Sequence, residues 1–237
     1  MALLLCFASF GLAPIVAAGE TRVVGFDGYD LKSGKLLFKG ETTTRTSPGR
    51  VAETVRYWNP EGRETQRMEA EYEPEALMPL EYHRDYLLTG EWEAVARDGA
   101  RLAVQWHARG AQSPKSFDVR WQEGVALSVV VVPHILRARD ALQAGQDVVL
   151  DLIVPSRQEV YAFRMRQDKP VTIDGQPTWV VRMEPDSFVI RQLVDPLHFF
   201  FAADGSGRLI EYRGRSSVQN EKGDGVDARI VYRDPAP

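Results

Sequence analysis

Hydrophobic and polar positions alternate with a period of two along most of this chain. Met68, Ala70 and Tyr72 are interleaved with Arg67, Glu69 and Glu71. Leu102, Val104 and Trp106 alternate with Arg101, Ala103 and Gln105, and Phe117, Val119 and Trp121 with Asp118, Arg120 and Gln122. The same rhythm runs through Tyr161, Phe163 and Met165, and through Trp179, Val181 and Met183. Successive side chains of a strand point to opposite faces, so each run predicts a half-buried strand with one apolar and one wet face. Asn59-Pro60-Glu61-Gly62, Asp98-Gly99, Asp174-Gly175 and Asp204-Gly205-Ser206-Gly207 separate consecutive runs. Asp-Gly supplies the positive φ angles of tight hairpins, so the pattern predicts a meander of about ten strands.

One segment departs from this rhythm. In residues 133–143, Ile135, Leu136, Ala138 and Leu142 fall at near-helical spacing, with Pro133 suited to a first turn and Gly145 to a stop. One helix of about three turns, leaning on the sheet, is expected there. Residues 127–132 (LSVVVV) read equally as a buried strand or as the lead into that helix. Residues 216–227 read as a polar loop before a last strand at 228–233, and residues 234–237 as a tail. With no repeat and no convincing linker, the expected fold is mainly β: a single, strongly curved antiparallel sheet or half-open barrel with one helix packed against it. It forms one domain over residues 19–233.

Residues 1–18 carry no charge and end on the small residues Ala17 and Ala18. Their apolar run is shorter than the ~20 residues of a membrane span, which is the pattern of a signal peptide. A basic residue ahead of the run, another part of that pattern, is missing. The expectation is an exported protein of the periplasm, with secretion as the alternative, and no transmembrane segment in the mature chain. Cys6, the only cysteine, lies inside the signal, so disulfides, thiolate metal sites and cysteine nucleophiles are not expected. A net charge of −4 without a basic stripe argues against nucleic acid as a partner.

Little in the chain suggests chemistry. His83, His107, His134 and His198 form no close pair and have no Asp or Glu at diagnostic ligand spacing. No metal, cofactor or catalytic residue is therefore assigned. His198 follows Asp195-Pro196-Leu197 and precedes three phenylalanines, so a carboxylate three residues away stands near an imidazole in apolar surroundings. A hydrolase built on Asp195 and His198 would still lack a nucleophile, and the plainer reading is the start of a strand.

The aromatics carry more. Trp58, Trp92, Trp106, Trp121 and Trp179 occupy five separate strand-like segments. Large aromatic side chains on one sheet surface can fill a core or line a concavity. On the second reading Trp92, Trp106, Trp121 and Trp179 form the wall of a ligand site, Tyr161 and Phe163 continue it, and the helix is its lid or plug. The ligand would be apolar or amphiphilic. The alternative is a structural or interaction module that docks an envelope protein through an outer face or sheet edge, with no small-molecule site.

Residues 142–151 (LQAGQDVVLD) are similar to a helix followed by L-x-x-G-x-x-x-x-L in a broad family of exported bacterial proteins of unknown function. Residues 161–165, the hairpin at Asp174-Gly175 and residues 179–183 follow in that family's order. Residues 208–212 (RLIEY) resemble its closing strand, although this chain lacks the proline found there. Residues 73–82 (EPEALMPLEY) resemble its L-x-P-x-x-Y strand start. The resemblance implies a half-barrel wrapping a helix, akin to the LolA/LolB-like lipoprotein-carrier superfamily, with a concave face for lipid or lipoprotein acyl chains and no catalytic residues to carry over.

Overall fold

The computed structural model describes residues 19–233; the expected signal segment and the tail at 234–237 lie outside them. In chain order the first strands are β1 (Thr21–Asp30), β2 (Leu36–Ser47), β3 (Arg50–Trp58), β4 (Glu64–Glu73), β5 (Met78–Tyr86), β6 (Glu91–Asp98), β7 (Arg101–His107) and β8 (Lys115–Arg120). A two-residue strand, β9 (Val125–Ala126), leads into a helical segment. The chain then runs through β10 (Val148–Val154), β11 (Glu159–Ile173), β12 (Gln176–Pro185), β13 (Leu197–Ala202), β14 (Leu209–Gln219) and β15 (Gly225–Tyr232).

All fifteen strands belong to one sheet, ordered β8-β7-β6-β5-β4-β3-β2-β1-β15-β14-β13-β12-β11-β10-β9. Neighbours are antiparallel except β9 and β10. The first and last strands thus pair in mid-sheet, and two meanders run outward to opposite edges. Only residues 121–124 join those edges. Such a link reaches roughly 18 Å at full extension, whereas flat strands ~4.8 Å apart would hold the edges about 65 Å apart. The sheet must therefore curl almost shut. The turn at Pro155–Arg157, after β10, lies against β6 and β7 and covers the gap from the other side.

The curved antiparallel sheet agrees with the sequence pattern, but there are more strands than the ten expected. β2 was hidden by its threonines: Thr42 and Thr44 are buried on the inner face, where the branched carbon packs although the hydroxyl reads as polar. The loop expected at 216–227 is another correction. β14 runs to Gln219 and β15 begins at Gly225, and Ser216, Ser217 and Gln219 are buried. Cross-sheet hydrogen bonds make this burial tolerable: Gln66 Nε2 donates to Ser217 Oγ (3.3 Å) and Thr89 Oγ1 to Gln219 Oε1 (3.2 Å).

Two features set the interior. The first is Arg84 of β5, with none of its side chain exposed. Its Nη1 lies 3.1 Å from Glu93 Oε1 and its Nη2 donates to Ser128 Oγ at 3.2 Å. The guanidinium lies over the rings of Tyr82 and Tyr86, and the Tyr82 hydroxyl donates to Glu93. The second is a pair of glycines. Phe26 faces Gly40 and Phe38 faces Gly28 across β1 and β2. Each ring covers the opposing glycine so closely that a methyl group at Gly40 or Gly28 would sit 2.1 or 2.2 Å from ring carbon.

Removing one partner of a buried ion pair strands the other charge. Arg84→Met is expected to lower stability by about 3–5 kcal/mol, and adding Glu93→Leu to recover much of the loss, measured by urea unfolding. Gly40→Ala is expected to cost about 1–3 kcal/mol through overpacking against Phe26, read in the same assay.

Candidate functional site

The concave face is occupied by the chain itself. After β9 the backbone forms a 3-10 turn at Ser128–Val130, then helix α1 (Val131–Arg137) and helix α2 (Arg139–Gln143). The single helix expected over 133–143 is thus two short ones, and the LSVVVV run is mostly their helical lead. The break is at Ala138, whose ψ of 6° leaves the helical region. Helices of five and seven residues have little stability of their own, so burial must hold them. Val129–Val132, Ile135 and Leu142 are almost wholly inaccessible and join the core of the sheet's inner face. We refer to residues 128–143 as the plug.

Its polar attachments to the sheet are few. Ser128 accepts from Arg84, Arg137 Nη2 donates to the Pro74 carbonyl at 2.9 Å, and Arg139 Nη1 donates to the Gly205 carbonyl at 3.1 Å. Arg139 also lies 5.5 Å above the Trp179 ring. Beside the plug runs an open groove of about 520 Å³, from His134, Arg137 and Ala138 to Val148, Leu150 and Met165. Leu150 and Met165 belong to the inner face, so the groove reaches the concave surface along one flank of the plug.

Five of the six aromatic residues read as a wall stand on the inner face. Phe163 and Trp179 are buried; Trp179 packs on Phe201 at 5.1 Å and its indole N–H donates to Gln167 Oε1. Trp106 is buried edge-on to Tyr86. Tyr161 and Trp121 are half-buried against the core, and the Tyr161 hydroxyl donates to Glu159. These five fall into two groups, Trp106 and Trp121 on β7 and after β8, the others on β11 and β12. Trp92 is the exception. It pairs with Asp85 and His107 on the outer face, its ring parallel to His107 at 5.4 Å and near-parallel to His83 at 5.9 Å. Its parity is opposite to that of Glu93 and Val95, which the buried side of β6 reveals. Trp58 is likewise outside, under Arg56.

Besides Arg84, Glu93 and Tyr82, this interior holds Glu53 and His134, whose pKa values are shifted by burial. Glu53 accepts from the Tyr72 hydroxyl, its Oε2 has no partner, and burial pushes its carboxyl up to about 8. His134, in the plug, is pushed down to about 4 by burial and by Arg137. His198 does not pair with Asp195. The carboxylate nearest it is Asp168 of β11, 3.6 Å from Nε2, longer than a hydrogen bond. Among the described residues no group of His, Cys, Asp and Glu is arranged to hold a metal ion, and no helix is long and apolar enough to cross a membrane.

No protein-family model and no curated protein matches the chain. Its backbone is similar to the crystal structure of a beta-barrel-like protein of the domain of unknown function DUF1849 from Brucella abortus. The TM-score is 0.52 at 10% identity, over 92% of this chain and 100% of that one. The two share a fold. The resemblance read from the sequence, to curved-sheet proteins of unknown function, therefore holds at the level of architecture. A DUF1329 family protein from Desulfovibrio piger (TM-score 0.27, 6% identity, 91% and 83% of the two chains) overlaps too loosely to carry an argument. The same is true of a LolA superfamily protein from Nitrosomonas europaea (0.19, 10%, 91% and 84%).

The Glu53 shift has a definite sign. With a folded value near 8 against an ordinary 4.5, the native state keeps a proton that the unfolded chain releases, so stability falls as pH rises between those values. Glu53→Gln is expected to match wild type near pH 4.5 and to exceed it by up to about 4 kcal/mol at pH 8. Loss of stability from His134, as pH falls from its ordinary 6.5 towards 4, should persist in that variant. Thermal unfolding across this pH range measures both.

Proposed function

We propose that this chain is an exported, non-catalytic protein of the cell envelope that binds an apolar or amphiphilic ligand, a lipid or lipoprotein acyl chain, on its concave face. The observation that carries the reading is the plug. An apolar surface that includes Phe163 and Trp179 is covered by two helices too short to be stable alone, and a groove opens along their flank. An acyl chain entering by Leu150 and Met165 would replace plug side chains on the sheet. Its binding would come from burial worth roughly 25 cal/mol per Å², less the cost of displacing residues 128–143.

A second reading, docking to an envelope protein, is favoured by one observation. Helix α3 (Phe188–Arg191) and the residues after it expose Phe188, Val189 and Leu193 at 67–70%. Such a cluster on one turn is unusual for an unpartnered surface.

Native mass spectrometry of the protein purified from its own envelope, followed by lipid extraction, is expected to show an acyl-chain species at defined stoichiometry. A clean apo mass would count against the carrier reading. Trp106→Ala is expected to weaken retention of that species more than it lowers the unfolding midpoint. Unchanged retention with a large stability loss would make this tryptophan a packing residue only. Phe188→Ser with Leu193→Ser should leave retention intact, and would reduce cross-linking to a partner if the second reading holds.

A further inference from the structure

β8 is one edge of the sheet, and among the described residues no strand lies beyond it. β9, at the other edge, pairs with β10, and the turn at Pro155–Arg157 lies against β6 and β7. The direction of the backbone groups on β8 follows from one hydrogen bond. The Trp121 N–H donates to the Ala100 carbonyl at 2.9 Å, and the β7–β8 register continues from there without a shift. Hydrogen-bonded and non-hydrogen-bonded pairs alternate along an antiparallel ladder, so Val119 is bonded to Leu102 and Phe117 to Val104. Ser116, Asp118 and Arg120 therefore turn their N–H and C=O groups away from β7, along the open edge.

The side chains of this edge fall into two rows. Phe117, Val119 and Trp121 face the concave side, and both aromatic rings are only half-buried against the core. Ser116, Asp118 and Arg120 are exposed on the convex side. Asp118 has one loose ion pair, 3.8 Å from Arg101, and the two side chains are 62% and 71% exposed. Among the described residues no ion pair engages Arg120. Charges on an edge strand normally keep other strands away. Here their spacing makes the edge complementary to itself.

Two copies of β8 can meet antiparallel about a two-fold axis in only a few registers. With Asp118 at the axis, the carboxylate would face its own copy. With Phe117 at the axis, Arg120 would fall opposite Pro114, which has no N–H to give. With Val119 at the axis, Asp118 of each copy lies opposite Arg120 of the other on the convex side. These are residues whose backbone groups are free, so ion pair and main-chain hydrogen bonds coincide. On the concave side Phe117 then meets Trp121 of the partner subunit, in the non-hydrogen-bonded pairs where side chains approach most closely. We propose that the protein forms a two-fold dimer through β8 in this register, joining two sheets into one. The partner subunit's Phe117 would cover Trp121, an aromatic residue of the concave wall, but the dimer requires no ligand.

Sedimentation velocity over about a hundredfold range of concentration is expected to show a monomer–dimer equilibrium, weak because the interface is short. Asp118→Arg alone and Arg120→Asp alone each set like charges opposite one another. Each should raise the dimer dissociation constant about tenfold. An equal mixture of the two variants restores both ion pairs in the heterodimer, so association should return to near the wild-type value. Both positions are exposed, and neither change should move the unfolding midpoint. A monomer at every concentration overturns the proposal. So does a dimer indifferent to both reversals, or a mixture that associates no better than its components. No ligand enters the measurement, so its failure leaves the concave-face reading untouched.

Discussion

Four residues join the two outermost strands of a fifteen-stranded sheet, and the other features follow from that tether. Because β8 and β9 cannot separate, the sheet must curl, and curling creates an inner volume that strand side chains alone do not fill. Residues 128–143 fill it. The tether also delivers them to the inside, since β9 is the last extended step before the 3-10 turn. Arg84 then fixes the arrangement with one guanidinium, reaching Glu93 on the neighbouring strand and Ser128 at the start of the plug. A buried ion pair gives little net stability for its desolvation, but it demands one register of β5, β6 and the plug together.

Strand parity was the most legible part of the chain. The runs around Met68, Val104, Phe163 and Val181 lie as their alternation predicts, and Asp174 and Gly175 take the positive φ angles of their hairpin. What failed to show was polarity on the inner face. Thr42, Thr44, Ser216, Ser217 and Gln219 are strand residues with buried polar groups, and a hydropathy pattern reads each as solvent-facing. The strand count and the length of the last loop suffered for the same reason.

The candidate site was legible as a list of aromatics but not as a geometry. Trp92 sits one position from Glu93, and a hydrophobicity argument naturally turns the tryptophan inward and the glutamate outward; the structure does the reverse. The neighbours could have decided it, since Val95 fixes the buried parity of β6 and Glu93 shares it. The same test applied to Tyr82 and Tyr86 places Arg84 inside, and applied to Val51, Val55 and Tyr57 places Glu53 inside. Pairing across strands was out of reach: nothing local to Asp195-Pro196-Leu197-His198 indicates that a bulge in β11 brings Asp168 to the imidazole instead.

The meeting of β1 and β15 at the middle of the sheet has a consequence for how the protein comes to be folded. Phe26 lies beside Tyr232, about 200 residues away in the chain, so the central seam is also the contact with the largest sequence separation. Each meander can assemble from near neighbours while synthesis proceeds, but neither β1 nor β14 gains its second partner until the last strand is available. Loop-closure entropy makes that final pairing the slow one, and until it forms two open strand edges are exposed to other chains. Here the first and last of the described strands in sequence are the middle of the sheet, and the eight residues of β15 close the seam between the two meanders.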